Sequence, residues 1–189
     1  MNSECKLIST PRLLLQMGTQ EDVPEIVKFY RNNQVYLSPW QPFWPDNFLT
    51  HEFWQEQVKK NIKEFEGDRS LKFFIFKNGN LSEIIGNVSF HGFMRGAAQF
   101  CYLGYNLAEF EQGKGYMTEA LHFAKNDVFE QLNMHRVMAN YLPHNHRSAN
   151  LLKKLGFVIE GYAKEYLFIQ GEWQDHILTS LTNKNWQEK

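Results

Sequence analysis

The sequence predicts an α+β fold in a single domain. Three observations lead there. The chain has 189 residues, enough for one domain with a real core. Period-two apolar runs cluster in mid-chain and near the end. Helical-period segments lie before and between them. Hydrophobic residues make up 43% of the chain, near the globular norm, which excludes disorder. No apolar run reaches membrane-spanning length.

Leu13 to Met17 reads as a first strand, after Thr10-Pro11. Glu21 to Asn32 is a helix: Val23, Ile26, Val27 and Tyr30 recur at helical spacing, and Thr19 with Asp22 forms a capping start. Tyr36 to Pro45 holds three prolines and four aromatics in ten residues, a composition expected to be neither helix nor central strand. His51 to Phe65 is a second helix, with Trp54, Val58, Ile62 and Phe65 on one face. Leu71 to Phe76, Ile84 to His91 and Phe100 to Leu107 are strands. Tyr116 to Leu132 is an amphipathic helix, and Arg136 to Tyr141 a strand ended by Pro143. Ala149 to Leu155 is a short helix with Asn145 in its N-cap region and Gly156 as its stop. Phe157 to Ile169 and Trp173 to Leu181 form a closing hairpin through Gln170-Gly171. The order is βααβββαβαββ, with no internal repeat and no linker.

The most informative stretch is Gln112-Gly113-Lys114-Gly115-Tyr116-Met117, between a strand and a helix. A helix N-terminus presents unpaired N–H groups and partial positive charge. Gly113 and Gly115 let the backbone approach a phosphate with no Cβ in the way, and Lys114 adds a mobile cation. The alternative is an ordinary glycine turn. A P-loop is absent, and Thr118 stands where the dinucleotide fingerprint needs its third glycine, so a dinucleotide ligand is not expected.

The remaining composition narrows the function. Cys5 and Cys101 are the only cysteines, so no disulfide framework exists and a reducing compartment fits. Met1 to Thr10 has Glu4, one Lys and no apolar core, unlike a secretory signal, and a cytoplasmic location is the default. His144 and His146 have no Cys or carboxylate at metal spacing, so no metal is expected. A net charge of −1 gives no general attraction to nucleic acid.

Two motifs together carry a family resemblance. The loop Gln112 to Met117 is similar to the Arg/Gln-x-x-Gly-x-Gly/Ala acetyl-CoA loop of the GCN5-related N-acetyltransferases (GNAT), with Met117 in place of the usual small residue. Asn145-His146-Arg147-Ser148 followed by Leu151 to Phe157 is similar to the family's Asn-x-x-Ala/Ser helix ending in Leu-Gly-Phe. Cys101 to Tyr105, Met138 to Asn145 and Gly161 to Lys164 resemble the branch of ribosomal-protein-alanine N-acetyltransferases, from about Thr10 to about Leu181. The resemblance implies a mostly antiparallel sheet flanked by helices, with a splayed strand pair forming an acyl-CoA cleft. It implies acetyl transfer from acetyl-CoA, without a metal, to the N-terminal α-amine of an alanine-starting small-subunit ribosomal protein.

Under that resemblance, Gln112, Gly113, Lys114, Gly115, Tyr116 and Met117 hold the diphosphate. Tyr105, Asn106 and Leu107 offer backbone groups to the pantetheine arm, and Asn145 hydrogen-bonds the arm near the thiol or only caps its helix. Many family members carry a Tyr acid seven residues after the Asn; here that position is Leu152, and Ser148 is the candidate donor to the leaving thiolate, or a cap. Cys101 reads as packing, which favours direct attack in a ternary complex. Glu160 is the candidate general base, or an edge-strand surface charge. Trp40, Phe43 and Trp44 wall the acceptor groove or pack the N-terminal helices, and Gly92 to Ala98 flanks the same groove. Two other functions stay open: an acyl-CoA-binding ribosome-assembly factor with little turnover, and an acetyltransferase of small amines. The latter would want an acidic groove, and Tyr36 to Pro45 has no carboxylate.

Overall fold

The computed structural model describes residues 6–188 and holds one eight-stranded sheet. In chain order its elements are β1 (Leu7–Ser9), β2 (Leu13–Met17), α1 (Val23–Asn32), α2 (Gln34–Leu37), α3 (His51–Glu66), β3 (Ser70–Lys77), β4 (Asn80–Met94), β5 (Phe100–Leu107), α4 (Tyr116–Glu130), β6 (Arg136–Tyr141), α5 (His146–Lys154), β7 (Val158–Ile169) and β8 (Glu172–Thr182). The strands lie in the order β1-β2-β3-β4-β5-β6-β8-β7. Every neighbouring pair is antiparallel except β5 and β6, which are parallel.

Strand alternation decides the two faces. On β2, Leu13, Leu15 and Met17 point into one core, and they meet Leu71, Phe73 and Ile75 of β3, Val88 of β4 and Leu103 of β5. Helix α4 covers this face with Met117, Ala120, Leu121, Ala124 and Val128, and α5 adds Leu152. The opposite face carries Phe74, Phe76 and Ile84 against Val23, Ile26, Val27 and Tyr30 of α1 and Trp54 and Val58 of α3. Each of these fully buried apolar side chains stabilises the fold by about 1.5–3 kcal/mol. The Thr19–Asp22 capping pair is present, with the Thr19 N–H donating to Asp22 Oδ2 at 2.8 Å, but it opens a 3₁₀ turn, Gln20–Asp22, and α1 begins only at Val23.

Some boundaries differ from expectation. Strand β1 is a three-residue edge strand, too short to show a period. The proline-rich stretch is partly helical: α2 runs into it, and Ser38 to Trp40 form a 3₁₀ turn. Pro39 stands in the first turn of that segment, where a missing N–H leaves no bond unmade. Helix α5 begins at His146, because Asn145 is the cap itself. Cys5 and the first half of the N-terminal stretch read for a signal lie outside the described residues. No helix among the described residues is long and apolar enough to cross a membrane.

The pairing of β5 with β6 positions the site. It covers only Phe100–Arg136, Cys101–Val137 and Tyr102–Met138. Beyond Tyr102 the strands part, and β5 runs on to Leu107 while β6 runs on to Tyr141. Their facing N–H and C=O groups are left without a strand partner inside the sheet, as a ligand rich in amides requires.

Candidate active site

The splay opens a cleft of about 1580 Å³. Its walls include Leu103 to Leu107 of β5, Asn140 to Leu142 after the splay, the loop at Gln112, Gly113 and Gly115, and the start of α5. The aromatic segment Tyr36 to Trp44, the outer face of β3 and β4, and the β7–β8 hairpin complete it.

At one end, Gly113 and Gly115 take φ +75° and +78°, the left-handed region, and a Cβ at Gly113 would meet nothing. Gly115 is the N-cap of α4, so the first-turn N–H groups of the helix open toward the loop. Gln112 Nε2 donates to the Leu107 carbonyl at 3.0 Å and ties the loop to the end of β5. Tyr116 follows on the first turn of α4. Met117 turns its side chain into the core, so a residue larger than the usual one leaves the loop backbone clear. Lys114 is not a free cation: its Nζ pairs with Glu111 at 2.9 Å, and Glu111 also takes Lys77 at 2.8 Å.

The loop is clasped by a residue that sequence reasoning missed. Arg12 donates from its Nη1 to the Lys114 carbonyl at 3.0 Å, pairs through Nε with Glu119 Oε2 at 2.6 Å, and lies 4.8 Å over the Tyr116 ring. Glu119 also accepts from Thr10 Oγ1 at 2.7 Å and from the Arg12 N–H at 2.9 Å. Burial raises the Glu119 pKa, but these donors outweigh it and hold the carboxyl below its ordinary value. About a hundred residues separate Arg12 from the loop, and no local motif joins them.

At the other end stand Asn145 and Ser148. The Asn145 Oδ1 accepts from the Ser148 N–H at 3.1 Å, so Asn145 does cap α5. Asn145 also lines the cleft. Ser148 Oγ lies 2.5 Å from the Tyr105 hydroxyl. Burial, against a smaller opposing effect of the Ser148 hydrogen bond, pushes the Tyr105 pKa up to about 12, so the phenol keeps its proton. Leu152, at the position of the usual Tyr, is buried in the core.

Asn106 joins the cofactor strand to the aromatic wall. Its Oδ1 accepts from Gln41 Nε2 at 2.7 Å, Gln41 Oε1 accepts from Trp44 Nε1 at 3.1 Å, and the Gln41 carbonyl accepts from Gln170 Nε2 at 2.9 Å. Trp40, Phe43 and Trp44 all line the cleft. Trp44 also stacks on Phe48 at 4.4 Å within the α1–α3 core, so it packs and lines at once. Trp40 lies 5.6 Å from His144, and Phe43 is exposed beside the β7–β8 turn.

Three expectations need correction. Glu160 is not brought to the cleft: on β7 its carboxylate is held by Arg136 and by Ser180 Oγ at 2.8 Å, and the Arg136 hydrogen bond keeps its pKa below the ordinary value. It is the edge-strand charge of the alternative reading, and nothing places it near an acceptor amine. Gly92 to Ala98 also stays off the cleft; Arg95 in this segment pairs with Asp68 at 2.5 Å and donates to the Leu132 carbonyl at 2.8 Å. Lys114, as above, is tethered outside. Cys101 is fully buried with its thiol pushed up to about 12 by burial, and so is inert.

One property of the whole wall has no counterpart in local motifs. Among the described residues lining the cleft there is no Asp or Glu, while Lys72, Arg147 and Lys154 are present with His91 and His176.

Comparison with known proteins agrees with this architecture. Residues 12–158 match the Acetyltransferase (GNAT) domain family. A [ribosomal protein uS5]-alanine N-acetyltransferase of Escherichia coli K12 is 40% identical over 179 residues, spanning 95% of this chain and 92% of the relative. The crystal structure of a ribosomal-protein-S5-alanine acetyltransferase of Vibrio fischeri superposes with a TM-score of 0.91 at 33% identity, covering 97% of this chain and 100% of that one. The Mycobacterium smegmatis RimJ structure, solved in complex with CoA-disulfide, gives 0.88 at 25% identity over 99% of this chain and 92% of that one.

Proposed function

The chain belongs to the GNAT acetyltransferase family, and from that premise we propose that it transfers an acetyl group from acetyl-CoA to the N-terminal α-amine of a protein, an alanine-starting ribosomal protein uS5 in the cytoplasm. The observation that carries the reading is the splay of β5 from β6 between a left-handed glycine loop and the Asn145–Ser148 helix start. The relatives' names supply the acceptor class.

Acetyl-CoA fits the cleft chemically. The α4 N-terminus and the two glycines suit a diphosphate, which a Cβ and side chain at Gly115 would crowd. The unpaired edges of β5 and β6 suit the two amides of the pantetheine arm, and Asn145 stands at the thiol end.

The neutral amine attacks the thioester carbon directly; the C–N bond forms, the C–S bond breaks with the thiolate leaving, and the nitrogen sheds its extra proton to solvent, which balances the proton the thiolate takes up. A free α-amine has a pKa of about 7.7–8.0, so roughly a tenth is neutral at pH 7 without help. A lysine side chain, near about 10.4, would be neutral only at about one part in a few thousand. With no carboxylate on the cleft wall, the chain is suited to the first kind of amine. The Tyr105 and Ser148 hydroxyls share a hydrogen bond in which either can donate; with the tyrosine donating, the serine proton is free to turn toward the departing sulfur. This pair stands in for the Tyr that Leu152 replaces. Small polyamines are disfavoured, because their charges would find no acidic partner in the groove.

Steady-state release of free thiol from acetyl-CoA on adding an alanine-starting peptide tests the reading. Acyl-CoA binding without acceptor-dependent thiol release would identify a binding module instead.

A further inference from the structure

Lys72 is the third residue of β3 and lines the cleft on its acceptor side. Its Nζ lies 5.0 Å from the Trp54 ring centre, 5.4 Å from Phe74 and 5.9 Å from Tyr30. An ammonium has three donors. The described residues give this one a single acceptor, the Tyr30 hydroxyl at 3.5 Å. No carboxylate among them lies within ion-pair distance, whereas Lys6, Lys28, Lys59, Lys60, Lys77 and Lys114 all have one. Burial draws the Lys72 pKa down to about 8, which still leaves it mostly charged at pH 7.

A half-buried cation with no counter-charge is costly, and cation–π contacts return only part of that cost. The surroundings extend the imbalance. On the same sheet face, Lys72 is in register with Ser89, and Ser89 with Gly104 at the splay, so this row ends where the acetyl group is to sit. Arg147 reaches the acceptor wall from α5 and donates to the Tyr36 hydroxyl at 2.5 Å. No acidic residue of the cleft wall answers either cation.

We propose that Lys72 is a specificity-determining residue that binds an acidic side chain in the first few residues of the acceptor protein. The inference rests on the N-terminal acetyltransferase reading above and narrows its substrate class. The three aromatic rings flank the ammonium on the cleft wall, and the acceptor supplies the missing carboxylate. A carbonyl or amide at the same place would accept a weaker, uncharged hydrogen bond.

The test uses alanine-starting decapeptides in which positions 2 to 5 are, one at a time, Glu or Gln. At one of these positions the wild-type protein should show kcat/KM at least about fivefold higher for Glu, and this ratio should shrink as salt is raised. Lys72→Met keeps an unbranched side chain without the charge and should bring the ratio close to one, while Lys72→Arg should retain a preference for Glu. Parity of Glu and Gln at every position in the wild type would overturn the inference and leave the acetyltransferase reading intact. A ratio unchanged in a folded Lys72→Met protein, or insensitive to salt in the wild type, would do the same. Failure to acetylate any of the peptides would overturn both.

Discussion

The Tyr105 hydroxyl and the Ser148 hydroxyl meet at 2.5 Å across the mouth of the splay, one from β5 and the other from α5. Neither residue occupies the position where many relatives place their acid, yet both line the cleft, and under the proposed function the pair is the donor to the thiolate. In that reading the serine hydroxyl serves the sulfur, and the buried tyrosine hydroxyl holds it in place.

Removal of either partner should therefore act on turnover. Ser148→Ala should lower kcat by about a hundredfold and leave the Kd for acetyl-CoA nearly unchanged, as for an interaction made in the transition state. Tyr105→Phe should lower it less, and the double variant should lose little beyond Ser148→Ala alone, because the two act as one unit. Stopped-flow thiol release with calorimetry separates these quantities. Full additivity would mean that the hydroxyls act independently.

At the other end, Gly115→Glu places a side chain and a negative charge in the left-handed turn where phosphates belong. Acetyl-CoA affinity should fall at least tenfold, about 1.4 kcal/mol. Gly79 also has positive φ, at +83°, with open space around it, and lies outside the cleft. Gly79→Glu thus reproduces the backbone strain without the charge at the loop, and its calorimetric affinity should match the parent.

Arg12 acts on the same loop from the β2 end. Arg12→Gln should raise the Kd for acetyl-CoA by about fivefold while kcat at saturation holds, since the clasp orders the loop before the ligand arrives. Arg12→Lys, which keeps a charge near Glu119 but cannot fork to the Lys114 carbonyl as well, should recover part of the affinity. A fall in kcat with unchanged Kd would place Arg12 in the chemistry instead.

Lys72 makes a separate prediction about stability. Its folded pKa of about 8 lies below the ordinary lysine value. Below pH 8 both states hold the proton and the folded protein bears the burial cost. Between about pH 8 and 10.4 the unfolded chain keeps the proton that the folded one has released, so stability rises with pH through this window. Urea unfolding of Lys72→Met should show a protein more stable than the parent at pH 7 by about 1–3 kcal/mol, with the gap closing toward pH 10. A less stable variant at pH 7 would mean that the aromatic contacts outweigh desolvation.

Periodic and capped elements were legible in the sequence, and elements decided by tertiary pairing were not. Val23, Ile26, Val27 and Tyr30 announce α1, and the glycine pair announces the loop before α4, since both signals are local. Strand β1 is three residues long and depends on β2 for its bonds, so no period marks it. Asn145 both caps α5 and lines the cleft, so its local cap signal alone could not show which role it has. Glu160 misled because its strand is adjacent to the second motif in sequence, whereas the sheet order puts β7 at the far edge, outside β8. Arg12 and Lys72 were invisible for the converse reason: their partners lie on distant segments, and only the folded sheet shows one cation held at a loop and another without a counter-ion.

The central claim is acetylation of an α-amine at a small first residue, and the most direct test is a peptide series differing only in that residue, each with one internal lysine. Incubation with acetyl-CoA followed by fragment mass analysis reads where the label goes. The predicted result is label on the N-terminus, with Ala starts faster than Trp starts and the lysine untouched. Label chiefly on the lysine, or equal rates for Ala and Trp starts, would contradict the account.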